Sequence, residues 1–372
     1  MRVVHVSTVH QALDVRVFRK ECRTLARAGH DVHLLAARPP ETPIDGVTFH
    51  EIDAPRDVGR MRRLWIRQWS ALRACQRVRA DLYHFHDPEL IPLGLLLKLG
   101  GARVVYDVHE DTPREARTLY RDRPSFALLL SVVWLLLEAV AKRTLDAFVC
   151  ATPTIAANFP AERTIIAHNF PLVEEFPPEL DEDRKMTGGI RLVYAGVITA
   201  ARGIREMVRA VGLLPGTVDV TLVLLGEFAS PELEAETRDL AGWKAVRFLG
   251  WQPRDRLLEE LAAAHVGLVL FHPEPDHMDA LPNKLFEYMA AGLAIVASDF
   301  PLWRSILART RARVTASALE PAAIAGRLLE LIQDPASVAA MGRAGREAVR
   351  SELNWGPEGR RLVALYARLA AG

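Results

Sequence analysis

The chain has 372 residues, half of them hydrophobic, too much for one ordinary core and suited to two domains of about 150 residues or more each. Its net charge of +1 balances 47 basic against 46 acidic side chains, so no whole-molecule field recruits nucleic acid, and none is expected as a partner. Three cysteines, Cys22, Cys75 and Cys150, stand far apart without a CxxC pair, which argues against a zinc knuckle, an iron-sulfur site or a disulfide scaffold and fits the cytoplasm.

The opening MRVVHVSTVH is too short and too polar for a signal peptide and reads as a first strand. VRVFRKECRTLARAGHDVHLLA follows with Val15, Phe18, Cys22, Leu25 and Ala26 at helical spacing, a stop at Gly29 and a second strand, which makes a β-α-β unit. Between Arg56 and Arg79 lie eight Arg against one Asp. On a helical wheel Val58, Met61, Leu64, Trp65, Trp69, Leu72 and Cys75 gather on one side, with Arg60, Arg62, Arg63, Arg67, Arg73 and Arg77 opposite. Two readings fit this segment: an interfacial helix held peripherally at the inner face of an anionic membrane, or a helix docked on the sheet with a solvated basic face.

DLYHFHDPELIPLGLLLKLGGARVVYDVHE repeats the rhythm, with a strand ending in polar residues, a helix, the stop at Gly100 and Gly101, and another strand. His84 and His86 would share one face of the first of these strands, but no third ligand is close in sequence and no metal site is assigned. FALLLSVVWLLLEAVA, from Phe126, meets Glu138 after about a dozen residues, short of the roughly 20 that a spanning helix needs, and reads as a buried helix.

From Leu172 to Gly189 the composition turns acidic and Pro-containing and ends in Gly-Gly, a linker over 173–189. The rhythm then restarts: IRLVYAG, VDVTLVLLG, AVRFLGW, VGLVLF and LAIVAS are five strand candidates separated by helical segments. Alternation of this kind predicts α/β architecture with parallel sheets, a first domain over 1–172 and a second over 190–355. Doubly wound sheets bind ligands at the carboxyl ends of their strands, so a shared cleft is expected. No G-x-G-x-x-G or Walker loop is present, which counts against a dinucleotide oxidoreductase or an NTPase.

DALPNKLFEYMAAGLAIVAS carries the densest chemistry. Pro282 suits a first helical turn and Gly292 an end, which predicts a helix over Asn283 to Ala291. Lys284 and Glu287 then share a face one turn apart, with Asn283 beside Glu287, while Phe286, Met289 and Ala290 point to the core. A lysine at a helix start suits phosphate, and a carboxylate one turn deeper suits paired sugar hydroxyls; a plain surface ion pair has the same spacing. Only six of the 47 basic residues are Lys, and one stands here.

This stretch resembles the donor-binding signature of the family-four retaining glycosyltransferases of GT-B fold, an acid, seven residues and a Glu, with Asp279 and Glu287 at the two acids. The resemblance implies two Rossmann-like doubly wound domains facing a central cleft, Glu287 on the nucleotide ribose and Asp279 near the donor sugar. LVYAGVITAARGIREMVRAV is similar to the family's phosphate segment, in which Gly196 ends the strand and Arg202 with Gly203 takes the place of the residue that clamps the diphosphate. Val197 stands where many members have a second basic residue, which Lys284 would replace.

In the first half, the family's active-site histidine after a strand matches His109, between donor sugar and acceptor. His86, Asp87 and Glu110 lie at the same edge, and the opening loop STVHQALDVR offers His10, Asp14 and Arg16 to acceptor or phosphate. The terminal NWGPEGRRLVALYARLAAG corresponds to the GT-B helix, about 356–372, that returns to the first domain. By this resemblance the protein is a retaining, metal-independent glycosyltransferase with a nucleotide diphosphate sugar as co-substrate, no cofactor, and a glycan or lipid-linked acceptor. A nucleotide-sugar epimerase of the same fold and a catalytically degenerate scaffold are the rivals.

Overall fold

Val3, Val4 and Val6 have almost no exposed surface, and Val104, Val105, Leu192, Val193, Leu222 and Val223 have none, so the apolar runs of the sequence are strands covered on both faces. The computed structural model describes residues 1–53, 59–120, 122–177, 189–310 and 313–371. The chain divides into two compact units, Met1–Asn169 with Trp355–Gly372, and Phe170–Asn354.

The first unit is built on a seven-stranded sheet of β1 (Arg2–Gln11), β2 (Asp31–Ala37), β3 (Val47–Glu51), β4 (Leu82–Phe85), β5 (Arg103–Val108), β6 (Ala147–Cys150) and β7 (Thr164–Ile166), in the order β3-β2-β1-β4-β5-β6-β7. The second has six strands, β8 (Ile190–Ala195), β9 (Val220–Leu225), β10 (Val246–Gly250), β11 (Val266–Val269), β12 (Ala294–Ser298) and β13 (Arg313–Ala316), in the order β10-β9-β8-β11-β12-β13. Every strand pair in both sheets is parallel. Each sheet therefore reverses its winding once, between β1 and β4 and between β8 and β11, and a doubly wound sheet takes its ligand at such a point. The sequence rhythm does not include β3, β6, β7 and β13, which are three to five residues long.

Three helices layer one face of the first sheet. Helix Arg60–Val78 contributes Ala71, Ala74 and Cys75 to the core, Ile91–Leu99 contributes Ile91 and Leu93, and Pro124–Thr144 contributes Ala141. Arg56, Asp57 and Val58 of the arginine-rich segment lie outside the described residues. Trp65 and Trp69, on the wheel's apolar side, are 62% and 53% exposed, while Ala71, Leu72, Ala74, Cys75 and Val78 farther along pack against the core. The expectation of a buried helix for the run from Phe126 is overturned as well: only Ala127, Ser131, Glu138 and Ala141 of helix Pro124–Thr144 are buried, and most of its large apolar side chains are exposed, with Leu130, Trp134 and Leu137 half-buried.

The terminal helix Trp355–Ala371 packs in the first unit, where the Trp355 indole donates to Thr24 Oγ1 at 2.8 Å and Tyr366 bonds His84 Nδ1 at 2.7 Å. Phe170 and, within the acidic stretch 173–189, Phe176 pack into the core of the second unit, Phe170 edge-on to Phe286 with centroids 4.7 Å apart. Residues 178–188 of that stretch lie outside the described residues.

Gly203 ends the short turn Ala200–Arg202 at φ 73°, and a Cβ there would lie 2.0 Å from the Leu270 carbonyl oxygen. No side chain fits without moving the strand end. Gly203→Ala should cost more than about 1 kcal/mol, read as a lower urea midpoint at unchanged slope.

Candidate active site

At the winding reversal of the second sheet, β8 ends in Gly196 at φ 121°, and helix Asn283–Ala290 brings Lys284 against it. A Cβ on Gly196 would meet Lys284 Nζ at 3.2 Å, so glycine keeps the ammonium's place open. Lys284 is 8% exposed; its Nζ stands 3.7 Å from the Tyr194 ring centroid and has no hydrogen-bond partner among the described residues. Burial, then the charge of Arg202, pushes Lys284 well below the ordinary lysine range, with Glu287 opposing. The helix is fixed beneath it by Tyr288, whose buried hydroxyl accepts the Ala195 N–H at 2.7 Å, and it ends at Gly292 with φ 70°. Phe286, Met289 and Ala290 are buried as their spacing predicts.

Lys284 and Glu287 make no ion pair with each other; Glu287 Oε1 accepts from Arg254 Nη1 at 2.5 Å, and Arg254 also holds Glu175 Oε2 at 2.6 Å. Arg254 was not singled out in the sequence, where one arginine among many at a helix start carries no distinguishing signal. Arg202 lies over Phe271 at 5.6 Å and donates to the Val197 carbonyl at 3.2 Å, and Thr199 caps the turn by accepting the Arg202 N–H at 3.1 Å. Pro282 is the residue before the helix, and Asn283 and Asp279 are exposed.

At the reversal of the first sheet the central group is Asp107, in the apolar run of β5. Its carboxylate takes Arg16 Nη2 at 2.6 Å and Nε at 3.0 Å, His86 Nδ1 at 2.9 Å, and His109 Nε2. Burial alone would raise its pKa; Arg16, then His109 and His86, outweigh that and hold it well below the usual carboxylate range. Asp107 was missed although a signal existed, since an acid inside a buried strand must have partners. Glu21, 3.2 Å from Arg16 Nε, goes the other way: burial and the repulsion of Asp107 raise it well above the carboxylate range.

Arg16, read from the sequence as an acceptor or phosphate contact, is 4% exposed, with its remaining nitrogen on the Ala167 carbonyl at 2.9 Å, so its guanidinium is engaged by groups of its own unit. Asp87 is equally occupied. One carboxylate oxygen accepts from Thr8 N at 2.6 Å, Ser7 Oγ at 3.0 Å and Val9 N at 3.2 Å, and this pinning extends β1 to Gln11 where a flexible loop was expected. His10 faces both acids, at 3.7 Å from Asp14 and 3.5 Å from Asp87, and these charges raise it against the effect of burial. Asp14 caps the next helix through the Arg16 and Val17 N–H groups, at 2.8 and 2.9 Å. Burial would raise Asp14; the bonds from His10 and those amides hold it low. His109 remains partly exposed above Asp107, 5.2 Å from His10 between ring centroids, and Glu110 is exposed.

Folding brings His5 and Glu21 to the His84–His86 pair, the further ligand types that the sequence did not offer nearby. Part of their bonding is internal: His5 Nδ1 and His86 Nε2 share a hydrogen bond of 2.9 Å, His84 and His86 stack at 4.8 Å, and Arg16 stands beside Glu21, while His5 Nε2, His84 Nε2 and the Glu21 carboxyl oxygens have no hydrogen-bond partner among the described residues.

Two parallel doubly wound domains, the second with a lysine, an arginine and a carboxylate at its winding reversal, are the build of a GT-B glycosyltransferase. Residues 15–168 match Glycosyltransferase Family 4 and residues 189–334 match Glycosyl transferases group 1, and the chain belongs to these glycosyltransferases. Among curated proteins it is similar to a glycogen synthase of Mycobacterium tuberculosis, 27% identical over 177 residues, which are 46% of this chain and 41% of that protein. The chain thus spans less than half the length of that relative. In fold it is similar to the sucrose-phosphate synthase of Thermosynechococcus elongatus, with a TM-score of 0.77 at 16% identity over 100% of this chain and 99% of the other. It is also similar to HepE of Anabaena, solved in complex with UDP and glucose, with a TM-score of 0.74 at 13% identity over 99% and 100%.

Asp107→Asn leaves the buried Arg16 without its bidentate partner. A loss of about 3–5 kcal/mol is expected in urea unfolding; an unchanged midpoint would mean that Glu21 and the Ala167 carbonyl suffice for Arg16.

Proposed function

We propose that the protein is a retaining, metal-independent glycosyltransferase that moves a sugar from a nucleotide diphosphate sugar, with UDP favoured, to a glycan, lipid-linked or small-molecule acceptor. The observation that carries this reading is the buried, unpartnered Lys284 ammonium beside Gly196 at the winding reversal of the second sheet. A lysine held in that way without an anion is under strain from its own desolvation, which a diphosphate relieves.

Lys284 and Arg202 stabilise the leaving diphosphate as the sugar develops oxocarbenium character, an electrostatic task that placed cations perform without a divalent ion. Gly196 and Gly203 let backbone approach the phosphates, and Pro282 with Asn283 sets the start of the helix. Glu287 accepts the ribose hydroxyls; Arg254 takes one of its oxygens and so orients the other. Asp279 stands toward the donor sugar. His109, oriented by its hydrogen bond to Asp107, lies on the acceptor side with His10, and same-face attack by the acceptor leaves no role for a protein nucleophile. UDP is favoured through HepE, which was solved with that nucleotide.

Thermal unfolding with UDP, GDP, ADP or TDP, each with EDTA present, tests donor and metal together. Ligand at a hundred times its dissociation constant adds about 2.7 kcal/mol to the folded state. A UDP shift that survives EDTA and disappears in Glu287→Ala is expected. No shift with any nucleotide would sink the donor assignment, and a shift abolished by EDTA would sink metal independence.

Donor binding should also take up protons. Lys284 is pushed down in the free protein, a bound diphosphate pulls it up, and between those two values the site gains a proton on binding. Calorimetry in buffers of different ionisation enthalpy should detect the uptake in the native protein and lose it in Lys284→Met; uptake that persists in the variant assigns the proton to another group.

A further inference from the structure

Helix Pro124–Thr144 wears its apolar side outward. Phe126, Leu129, Val132, Val133, Leu136 and Val140 recur at helical spacing and are between 41% and 63% exposed. From Phe126 to Val140 the only charged residue is Glu138, which is 5% exposed on the opposite side and paired with Lys142 at 3.1 Å. The stripe extends onto the neighbouring helix Ile91–Leu99, whose Leu96 and Leu99 are 55% and 86% exposed. A contiguous apolar surface of this kind is a docking face.

We infer that this face lies on the surface of an anionic phospholipid bilayer, in plane. By length and composition the helix could cross a membrane, but its topology forbids that. With helix Thr112–Leu119, which packs on it through Arg117 and Ser131, it forms the crossover from β5 to β6, neighbouring parallel strands of one sheet, so the chain leaves and returns to the same sheet. The stripe from Phe126 to Val140 is about 21 Å long.

The charge around it suits lipid. Exposed Arg123 and Arg143 stand at its two ends, and in the same helix layer the exposed Trp65 and Trp69 are flanked by exposed Arg62, Arg73 and Arg77. Aromatic rings and arginines beside an apolar stripe are what the headgroup boundary accommodates. The membrane contact read from the arginine-rich helix alone thereby becomes one face of several helices, in which helix Pro124–Thr144 supplies the apolar insertion and the arginines the attraction.

The test is cosedimentation with vesicles of phosphatidylcholine plus phosphatidylglycerol and of phosphatidylcholine alone, without donor or acceptor, so its result is independent of the transferase reading. The native chain should bind the anionic vesicles, and Leu129→Glu with Leu136→Glu should weaken that binding at least about tenfold while the circular dichroism spectrum stays native. A second readout does not rely on a disruptive variant: Cys22, Cys75 and Cys150 are buried, so Leu136→Cys can be labelled with an environment-sensitive dye. Its emission should shift to the blue on anionic vesicles. Failure of the native chain to bind either vesicle, or a dye that stays in water on bound protein, overturns the inference. So does a concentration-dependent dimer that the double glutamate variant dissolves, which would make a second copy the occupant of this face.

Discussion

One buried carboxylate organises the first unit. Asp107 sits at the end of β5 with no exposed surface, and its charge persists only because the Arg16 fork, His86 and His109 surround it. Those partners come from the helix after β1, the end of β4 and the turn after β5, so the requirement to satisfy one anion fixes three segments around the winding reversal of the sheet. The energy at stake is large, because a buried charge deprived of its partner has neither water nor counter-charge. Glu21 shows the other side of this rule: burial and the repulsion of Asp107 push the second carboxylate near the same guanidinium well above the usual carboxylate range.

The second unit meets its reversal point differently. Instead of a closed ion pair it leaves a cation unmatched, with Lys284 over the Tyr194 ring, Gly196 making room for it, and Tyr288 anchoring the helix that carries it. The neighbouring carboxylate, Glu287, is engaged by Arg254 and is not available to neutralise the lysine. Closed networks give rigidity and open ones give binding, and here each unit has one of the two at the equivalent place in its sheet.

Much of the site was legible in the sequence. Asp279, Lys284, Glu287, Gly196, Arg202 and Gly203 stand in stretches whose helix starts, stops and glycines are local signals, and the structure forms those turns and helices where the signals put them. Arg254, Glu175 and Asp107 were not legible as partners, since nothing within a few residues of each announces what it will meet 33, 79 or 91 positions away. Arg16 and Asp87 were legible as polar residues near a strand end but not as occupied ones, because occupancy depends on burial.

The sequence by itself determined the alternation of strand and helix, the division into two α/β units, and the helix from Asn283 with its lysine and glutamate on one face, all consequences of periodicity and turn chemistry over short range. Only the tertiary structure decided which charges are paired and which faces are covered. The run from Phe126 is as apolar as a core helix, and periodicity cannot say whether a neighbour will lie against it. The order of strands in the sheet left its outer face open, because burial is a property of the partner and not of the segment.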